Sequence, residues 1–433
     1  MVRSLALHTL VAILLRFPRC YDIPIEDENR AGECMKQAQS NIVDRLTNWL
    51  VLLFALERIV KFAAVTHFFR RAKPAQPAPW PTVTLLQPIT RGASNLSSAL
   101  ASRAALNYPV TMQHLLICDA GDEATREIVA AHMARFPGMQ AEVILVEPDN
   151  VVASVASKMR KLQAALPHAT GEVYCFLDDD VTLRPDALRV LMPHLYREQA
   201  GVVFGLPCFT NWQTSWSSLI SMLVNAHMLL NFVAMSYVTS PIRINGHVFA
   251  VRREVFARVG GLDGLETQID DEYEIARRVK QHGYKAIQTP LIYDIDNVLD
   301  SAQAYIRQCK RWFVMPRQAM MPTLSLREKL IFSLFSFTLP LPGIVALLAM
   351  VSFRGSAWRG AAISLVVFGT VYALCERMHL QRAMPLHRWL LLPVVAFFVP
   401  LQMLWTLLLS NEVEWRGQRL RLRRDGTVEI VAG

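Results

Sequence analysis

The stretch Val173-Tyr-Cys-Phe-Leu177-Asp178-Asp179-Asp180 decides how the fold is read. Five apolar or aromatic residues make a short buried strand, and three carboxylates crowd its end. Neighbouring carboxylates repel one another, so such a turn needs positive charge close by. Alternate side chains of an extended segment share a face, which points Asp178 and Asp180 the same way. Two hard oxygen donors suit Mg2+ or Mn2+, with a substrate diphosphate completing an octahedron. A solvated turn ahead of the helix opened by Arg184-Pro185-Asp186 accounts for the same residues, and this stretch alone leaves both readings open.

Outward from it, β-rich runs alternate with helical patterns. Strands are expected at 83–87, 114–118, 142–146, 173–177, 201–206 and 248–251, and helices at 95–105, 123–135, 157–165, 185–198 and 270–282. A β-α-β-α order implies an α/β domain with a mostly parallel, Rossmann-like sheet between two layers of helices. Ligands of such sheets bind beyond the carboxyl ends of the strands. Asp119 stands at one such end and Asp178, Asp179 and Asp180 at another.

Two further clusters carry chemistry. Asp270-Asp271-Glu272-Tyr-Glu274 opens a helix. Acids favour a helix N-terminus, which explains one or two of them; a carboxylate near a metal–phosphate centre can also accept a hydroxyl proton. Gln308-Cys-Lys-Arg311-Trp312 closes the domain, and its i, i+3, i+4 spacing sets Gln308, Arg311 and Trp312 on one helical face. Arginine binds phosphate with two donors, and an indole offers a flat face to a sugar or a lipid headgroup. An interfacial tryptophan beside a snorkelling arginine reads equally well from these residues.

Composition sets the context. The chain has 433 residues, enough for two or three domains, with 52% hydrophobic and 19% charged residues and a mean hydropathy of +0.25. Soluble domains carry about 25% charged residues, so a membrane protein with a large water-exposed part is expected, and disorder, collagen and coiled coil are excluded. The net charge of +9 gathers beside apolar segments, as in Arg70-Arg71-Ala-Lys73, which points to membrane topology rather than nucleic acid. Seven scattered cysteines without a C-x-x-C pair argue against a disulfide framework or zinc site.

The expected organisation has six parts. Residues 1–45, with an apolar run at 5–17, have no assigned role. A membrane anchor helix at 46–69 carries Glu57, Arg58 and Lys61 near its middle, which are costly in a bilayer. A Pro-rich linker spans 70–81 and the catalytic domain 82–322. Membrane segments fill 323–410: a hairpin of 330–353, kinked at Pro340 and Pro342, and 357–374, then 389–409. Because 389–409 has basic flanks on both sides, the positive-inside rule favours a re-entrant or interfacial hairpin over a third span. Residues 411–433 are expected to be a basic tail. The apolar region 211–237 reads as a membrane-dipping acceptor helix or an ordinary buried one.

Together the motifs resemble the membrane-bound glycosyltransferases of family 2-like type with the GT-A fold, closest to the ceramide glucosyltransferase group, glycosyltransferase family 21, and its hopanoid-glycosylating relatives. The resemblance covers about residues 82–320 and implies a GT-A nucleotide-diphospho-sugar transferase domain plus transmembrane helices. It further implies an inverting transfer of a sugar, glucose first and N-acetylglucosamine as the alternative, from a UDP-sugar donor to a membrane lipid hydroxyl of ceramide or hopanoid type, with Mg2+ or Mn2+. The protein would be a multi-pass membrane protein, of the inner membrane if the source is bacterial, with a cytoplasmic catalytic domain. Leu86-Gln87-Pro88 matches the family's first strand end, and Cys118-Asp119-Ala-Gly-Asp122 its first-aspartate loop, which makes Asp119 and Asp122 donor-side residues. Ser157-Lys158 resembles the N-x-K element without its asparagine, leaving Lys158 on the donor. Asp178 and Asp180 match the metal-binding D-x-D, with Asp178 also on the donor. Gly246 and His247 resemble the acceptor-side segment. Gln308, Arg311 and Trp312 match Q-x-x-R-W, with Arg311 on the diphosphate and Gln308 and Trp312 toward the acceptor. Relatives carry two acids at the base helix, the second usually Asp; counting back from Gly283-Tyr284, the base falls on Glu272, with Asp271 its neighbour and alternative. A processive polysaccharide synthase, a non-catalytic membrane scaffold and a nucleotidyl or phosphoryl transferase are the competing readings. The first needs more membrane crossings, the second fits the altered base pair, and the third lacks a P-loop lysine motif.

Overall fold

The computed structural model describes residues 28–93, 95–147, 156–406, 408–415 and 417–431; the apolar run at 5–17 lies outside them. A long helix, α1 (Glu28–Arg70), leads into β1 (Val83–Pro88), α2 (Leu96–Ala104), β2 (Met112–Asp119), α3 (Glu123–Arg135), β3 (Gln140–Val146) and α4 (Ala156–Ala165). Next come β4 (Val173–Leu177), β5 (Val181–Thr182), β6 (Ala200–Phe209), α5 (Ser215–Met235), β7 (Val248–Arg252), α6 (Asp271–Gln281), β8 (Lys285–Ile295) and α7 (Ala302–Met315). Three apolar helices follow, α8 (Leu326–Ser336), α9 (Leu341–Ser352) and α10 (Gly355–Cys375), and then β9 (Glu412–Trp415), β10 (Gln418–Leu422) and β11 (Val428–Ile430).

Strands β1 to β8 form one sheet in the order β3-β2-β1-β4-β7-β6-β8-β5. The β3-β2-β1-β4 half is parallel, so its carboxyl ends lie side by side, whereas β7 runs antiparallel between β4 and β6. Every residue of β1, β4 and β6 is buried, as expected for strands covered by helices on both faces. The expected strands are all present with ends moved by a few residues. The 185–198 helix is instead a short α-turn, Ala187–Leu191, followed by a 3-10 segment, Met192–Tyr196; Pro193 interrupts the pattern because it removes a backbone donor.

Helix α1 resolves the difficulty of charges within an apolar segment. Trp49, Leu52, Leu53, Leu56, Ile59 and Val60 form an exposed stripe, while Phe54, Arg58, Lys61, Val65 and Phe68 face inward. Lys61 pairs with Glu57, reaches Asn231 on α5 at 2.5 Å, and donates to the Phe335 carbonyl on α8 at 2.8 Å. Glu57 and Lys61 are therefore paired inside a helical bundle, and Arg58 bonds Glu57 as well while its Nη1 is buried without a hydrogen-bond partner among the described residues.

Among the described residues, three helices are long and apolar enough to cross a membrane: Ser215–Met235, Gly355–Leu380 and Leu386–Thr406. The pair α8 and α9, bent by 51° at the segment holding Pro340, adds a fourth if taken as one span. Ser215–Met235 is mostly buried within the protein. Residues 389–406 of the region 389–409 belong to the third of these helices, and no hairpin turn interrupts that described stretch. Both its flanks dock on the α/β domain: Arg388 donates to the carbonyls of Trp212 and Gln213, and Arg317 beyond α7 donates to the Leu409 carbonyl. Within 411–433, expected to be a tail, the described residues of β9, β10 and β11 form an antiparallel three-stranded sheet in the order β11-β10-β9. Alternating Val413, Leu420 and Leu422 are buried against Ile269, Val314 and Ala319, which gives the basic segment a core.

Candidate active site

The parallel register of β1 with β4 brings the segments after both strands to one edge of the sheet. The antiparallel register of β4 with β7 pairs Leu177 with Val248, which sets Asp178 beside His247; the Asp178 N–H donates to the His247 carbonyl at 3.0 Å. There a cavity of about 510 Å³ opens, lined by Asp178, Asp179, Asp180, His247, Asp271, Glu272, Lys158, Lys161, Arg243, Arg311, Trp312 and Trp415. Residues distant in sequence thus share one space.

The three aspartates have separate surroundings. Asp178 accepts an ion pair from Lys158 at 2.9 Å. Asp179 accepts the backbone N–H of Thr90, beyond β1. Asp180 has an Oδ1 that is buried without a hydrogen-bond partner among the described residues. Burial, with Asp178 and Asp179 adding to it and His247 opposing, pushes the Asp180 carboxyl up to about 6. Behind the turn, the buried Arg103 of α2 donates to the carbonyls of Asp178 and Val181 at 3.1 and 2.5 Å. Burial lowers its guanidinium to about 10, so it stays charged at neutral pH and supplies the cation that this turn needs.

The second acidic cluster is held by Arg243. Asp270 caps α6, accepting the Tyr273 N–H at 3.0 Å, and faces the Arg243 Nε at 3.2 Å. Arg243 also bonds Glu272. Burial works against the charge of Glu272, yet Arg243, His247 and Lys158 outweigh it and hold its carboxyl below the ordinary value. Asp271 lacks that clamp: burial raises its carboxyl, and Lys158, 3.8 Å away, only partly offsets it. Lys158 is discouraged by burial but held above its ordinary value by Asp178, Asp271 and Glu272. Gly246 lies against Glu272; a Cβ there would come within 2.5 Å of the Glu272 Cγ, so a side chain at 246 would displace the acid.

Of the residues expected at the site, Lys158, Asp178, Asp180, His247, Asp271, Glu272, Arg311 and Trp312 line the cavity, and Gly246, Asp119, Asp122 and Gln308 do not. Asp119 stands one layer back, paired with Lys161 at 3.0 Å, and Lys161 also donates to the Ile89 carbonyl at 2.6 Å. Asp122 caps α3, accepting from the Thr125 N–H and hydroxyl at 3.3 and 2.5 Å. Gln308 is half-buried on α7 beside the two residues that do reach the cavity. The Trp312 ring meets Phe209 edge-on at 6.0 Å. Arg103, Lys161, Arg243 and Trp415 were missed; the first three are single basic residues whose partners come from other elements. Trp415 lay in a segment read as a tail. Its ring sits under the Arg311 guanidinium at 4.9 Å.

Among the described residues no three His, Cys, Asp or Glu side chains gather as a complete metal-ligand set. Asp178 and Asp180, with the unpartnered Oδ1 of Asp180, nonetheless supply hard oxygen donors that fit a divalent cation sharing its remaining positions with a substrate. Beyond the acids the same cavity turns apolar, lined by Leu223, Val224, Phe232 and Met235 of α5 and by Phe332 and Phe335 of α8.

Comparison with known proteins agrees with this architecture. The model of Glycosyl transferase family 21 matches residues 49–428. A mannosyltransferase from Pyrobaculum calidifontis, solved in complex with GDP-Man and Mn2+, superimposes with a TM-score of 0.52 at 17% identity, over 84% of this chain and 99% of its own. GalNAc-T7, solved with UDP, GalNAc and Mn2+, is matched at 15% identity over 58% of this chain and 54% of its own, with a TM-score of 0.39. The fold is that of the GT-A glycosyltransferases.

Proposed function

The chain belongs to glycosyl transferase family 21, and from that membership we propose that it transfers a sugar, glucose first, from a UDP-sugar to the hydroxyl of a membrane lipid, ceramide-type, with inversion. The observation that carries this reading is the single cavity with two characters: carboxylates and cations at one end, and an apolar arm between α5 and α8 at the other. A charged donor and a lipid acceptor each find a chemically matched wall, and their reacting atoms meet at the junction.

Asp178 and Asp180 are the proposed holders of Mg2+ or Mn2+. When bound, the cation would neutralise charge developing on the leaving diphosphate. Lys158 and Arg311 face the same space and support the diphosphate directly. Asp119 and Asp122 would act on the donor side from behind the cavity wall, through Lys161 and through the cap of α3. The acceptor proton goes to the Asp271–Glu272 pair. Glu272 is held ionised by Arg243, whereas Asp271 has the raised carboxyl, so proton affinity supports Asp271, the alternative, over Glu272, the base that the motif count gives. Trp312 and His247 would border the attacking hydroxyl, Gly246 keeps Glu272 seated, and Gln308 supports α7.

The membrane reading has an anchor at 46–69, the linker 70–81, a catalytic domain at 82–322 on the cytoplasmic side and membrane segments in 323–410. The exposed stripe of α1 supports the anchor. The docking of both flanks of Leu386–Thr406 on one domain supports a helix lying in the interface, since a helix crossing the bilayer would carry one flank away from that domain.

Purified full-length protein given radiolabelled UDP-glucose, ceramide and Mn2+ should yield labelled glycolipid, and EDTA should stop it. Donor consumption without a lipid product, or labelled product equal with and without EDTA, would overturn the acceptor or the metal assignment respectively. Parallel reactions with UDP-N-acetylglucosamine and a hopanoid alcohol, read by mass spectrometry, identify sugar and lipid together.

A further inference from the structure

Helix α5 is the wall between the sheet and the membrane helices, and its polar side chains have partners. Ser217, Ser218 and Ser221 donate to the carbonyls of Leu299, Thr214 and Asn211 at 3.2, 2.6 and 3.0 Å. Asn225 bonds both backbone groups of Phe209, at 2.8 and 2.9 Å. Asn231 accepts from Lys61. His227 is the exception. It is 7% exposed, lines the cavity, and both ring nitrogens lack a hydrogen-bond partner among the described residues.

Its position gives the exception meaning. Asn225, two residues earlier, holds Phe209, and the Phe209 ring meets both Trp312 and His247 edge-on, at 6.0 and 6.5 Å. His227 lies on the face of α5 that lines the cavity with Val224 and Met228, and Asn231 follows on the same face one turn further along. Its ring lies 5.6 Å from that of Phe368 on α10, Val224 and Met228 line the cavity wall with it, and the charged groups Arg58, Lys61 and Glu57 of α1 lie near enough to act on it without bonding either ring nitrogen. A buried imidazole without partners is an expensive arrangement, and this one faces the cavity.

We infer that His227, with Asn231 one turn on, forms a polar subsite in the apolar arm that reads a second hydrogen-bonding group of the acceptor lipid, an amide or hydroxyl a few bonds below the reacting hydroxyl. This rests on the reading of the cavity as a lipid-acceptor site. A neutral imidazole offers one donor and one acceptor, so the matching group must both accept and donate, as an amide N–H and C=O or a hydroxyl does. A lipid alcohol whose only polar group is the reacting hydroxyl leaves both nitrogens unpaired. His227 is thus a specificity-determining residue.

The test compares two acceptors of similar bulk with the full-length enzyme in detergent or nanodiscs: a long-chain ceramide, and 2-hexadecyl-octadecan-1-ol, which has one hydroxyl and no amide. Wild type should prefer the ceramide in kcat/KM. His227→Leu should lower kcat/KM for ceramide about tenfold, mainly through KM, and leave the branched alcohol unchanged or improved. His227→Gln, which keeps a donor and an acceptor, should retain most of the preference. Equal losses on both acceptors, or no preference in wild type, would overturn the inference while the lipid-transferase reading stands. Failure of wild type to glycosylate any lipid, with sugar reaching another acceptor, would overturn both. Should the leucine variant fail to fold, the glutamine and phenylalanine variants decide, because only the second should lose the preference.

Discussion

The two ends of the cavity are built on opposite principles. At the acidic end the charged groups are answered from other elements: Asp178 by Lys158 of α4, Glu272 by Arg243 ahead of β7, and the Asp178–Asp180 turn by Arg103 of α2. In the apolar arm the described lining residues are uncharged, with Lys61 of α1 bonded to two of them, Asn231 and the Phe335 carbonyl, and one imidazole ring stands without a hydrogen-bond partner among the described residues. The acidic end is arranged for charge that arrives and leaves with a substrate, because a self-neutralised cluster can exchange an internal cation for an incoming one. The arm is arranged to sort ligands by shape and by hydrogen bonds. Variants at the two ends should therefore fail differently, in turnover and metal response at one, and in KM and acceptor choice at the other.

The largest effect is expected at Asp180. Asp180→Asn should lower transfer by roughly a hundred- to thousand-fold, as loss of a group stabilising transition-state charge does. The same variant should be more stable than wild type in metal-free buffer. Burial raises this carboxyl from 3.8 to about 6 in the fold, so the folded state takes up a proton that the unfolded chain has already lost. Stability therefore falls as pH rises from about 4 through 6, and above 6 the ionised group carries a penalty of at most about 3 kcal/mol. Thermal unfolding in EDTA should show the variant's advantage at pH 7.5, its reduction to about a third at pH 4.5 and its near disappearance at about pH 3.5. Added Mn2+ should raise the wild-type melting temperature and leave the variant's unchanged. A variant less stable than wild type at pH 7.5 would contradict the strain assigned to this residue.

Next in size is the contrast within the acid pair. Asp271→Asn should remove transfer about a hundred-fold, and Glu272→Gln about tenfold, because Asp271 holds the raised carboxyl and Glu272 is fixed by Arg243. A signed pH effect separates the roles. Glu272 helps to raise the Asp271 carboxyl, so Glu272→Gln should shift the acid limb of kcat to lower pH. If Glu272 is instead the base, that variant loses turnover at every pH and shows no shifted limb.

The sequence revealed the acidic end better than its supports. The D-x-D stretch, the acid helix and Arg311-Trp312 each have a short spacing that survives without knowledge of the fold, and their strands announce themselves by unbroken apolar runs. Arg103, Lys161 and Arg243 gave no such signal, since a lone cation shows its partner only when strands β1, β4 and β7 are in register. Strand β8 was not expected; it contains Pro290 and pairs with β6 through register shifts, and proline inside a run argues against a strand. The sheet at 412–430 was hidden by its arginines, although Val413, Leu420 and Leu422 alternate inward as a strand pattern should. In α1 the charges were visible, but which way they faced was not; a helical wheel separates Trp49, Leu52 and Leu56 from Arg58 and Lys61, yet only the packed bundle supplies Asn231 and the Phe335 carbonyl.

The smallest expected effect tests whether the third region, the C-terminal sheet, belongs to the site at all. Trp415 lines the cavity and lies under the Arg311 guanidinium, and β9 is tied into the core that packs on α7. Stacking of this kind contributes about 0.5–2 kcal/mol, which orients the planar cation without changing its charge. Trp415→Ala should therefore raise the donor KM about three- to tenfold with a smaller change in kcat, and Trp415→Phe should recover most of the loss because the ring face remains. A sheet that only packs against α7 would behave otherwise: the alanine variant would lower the melting temperature and leave the donor KM as it was. Donor titrations at fixed acceptor distinguish the two, and an unchanged donor KM would confine the site to the α/β domain and the two helices of its arm.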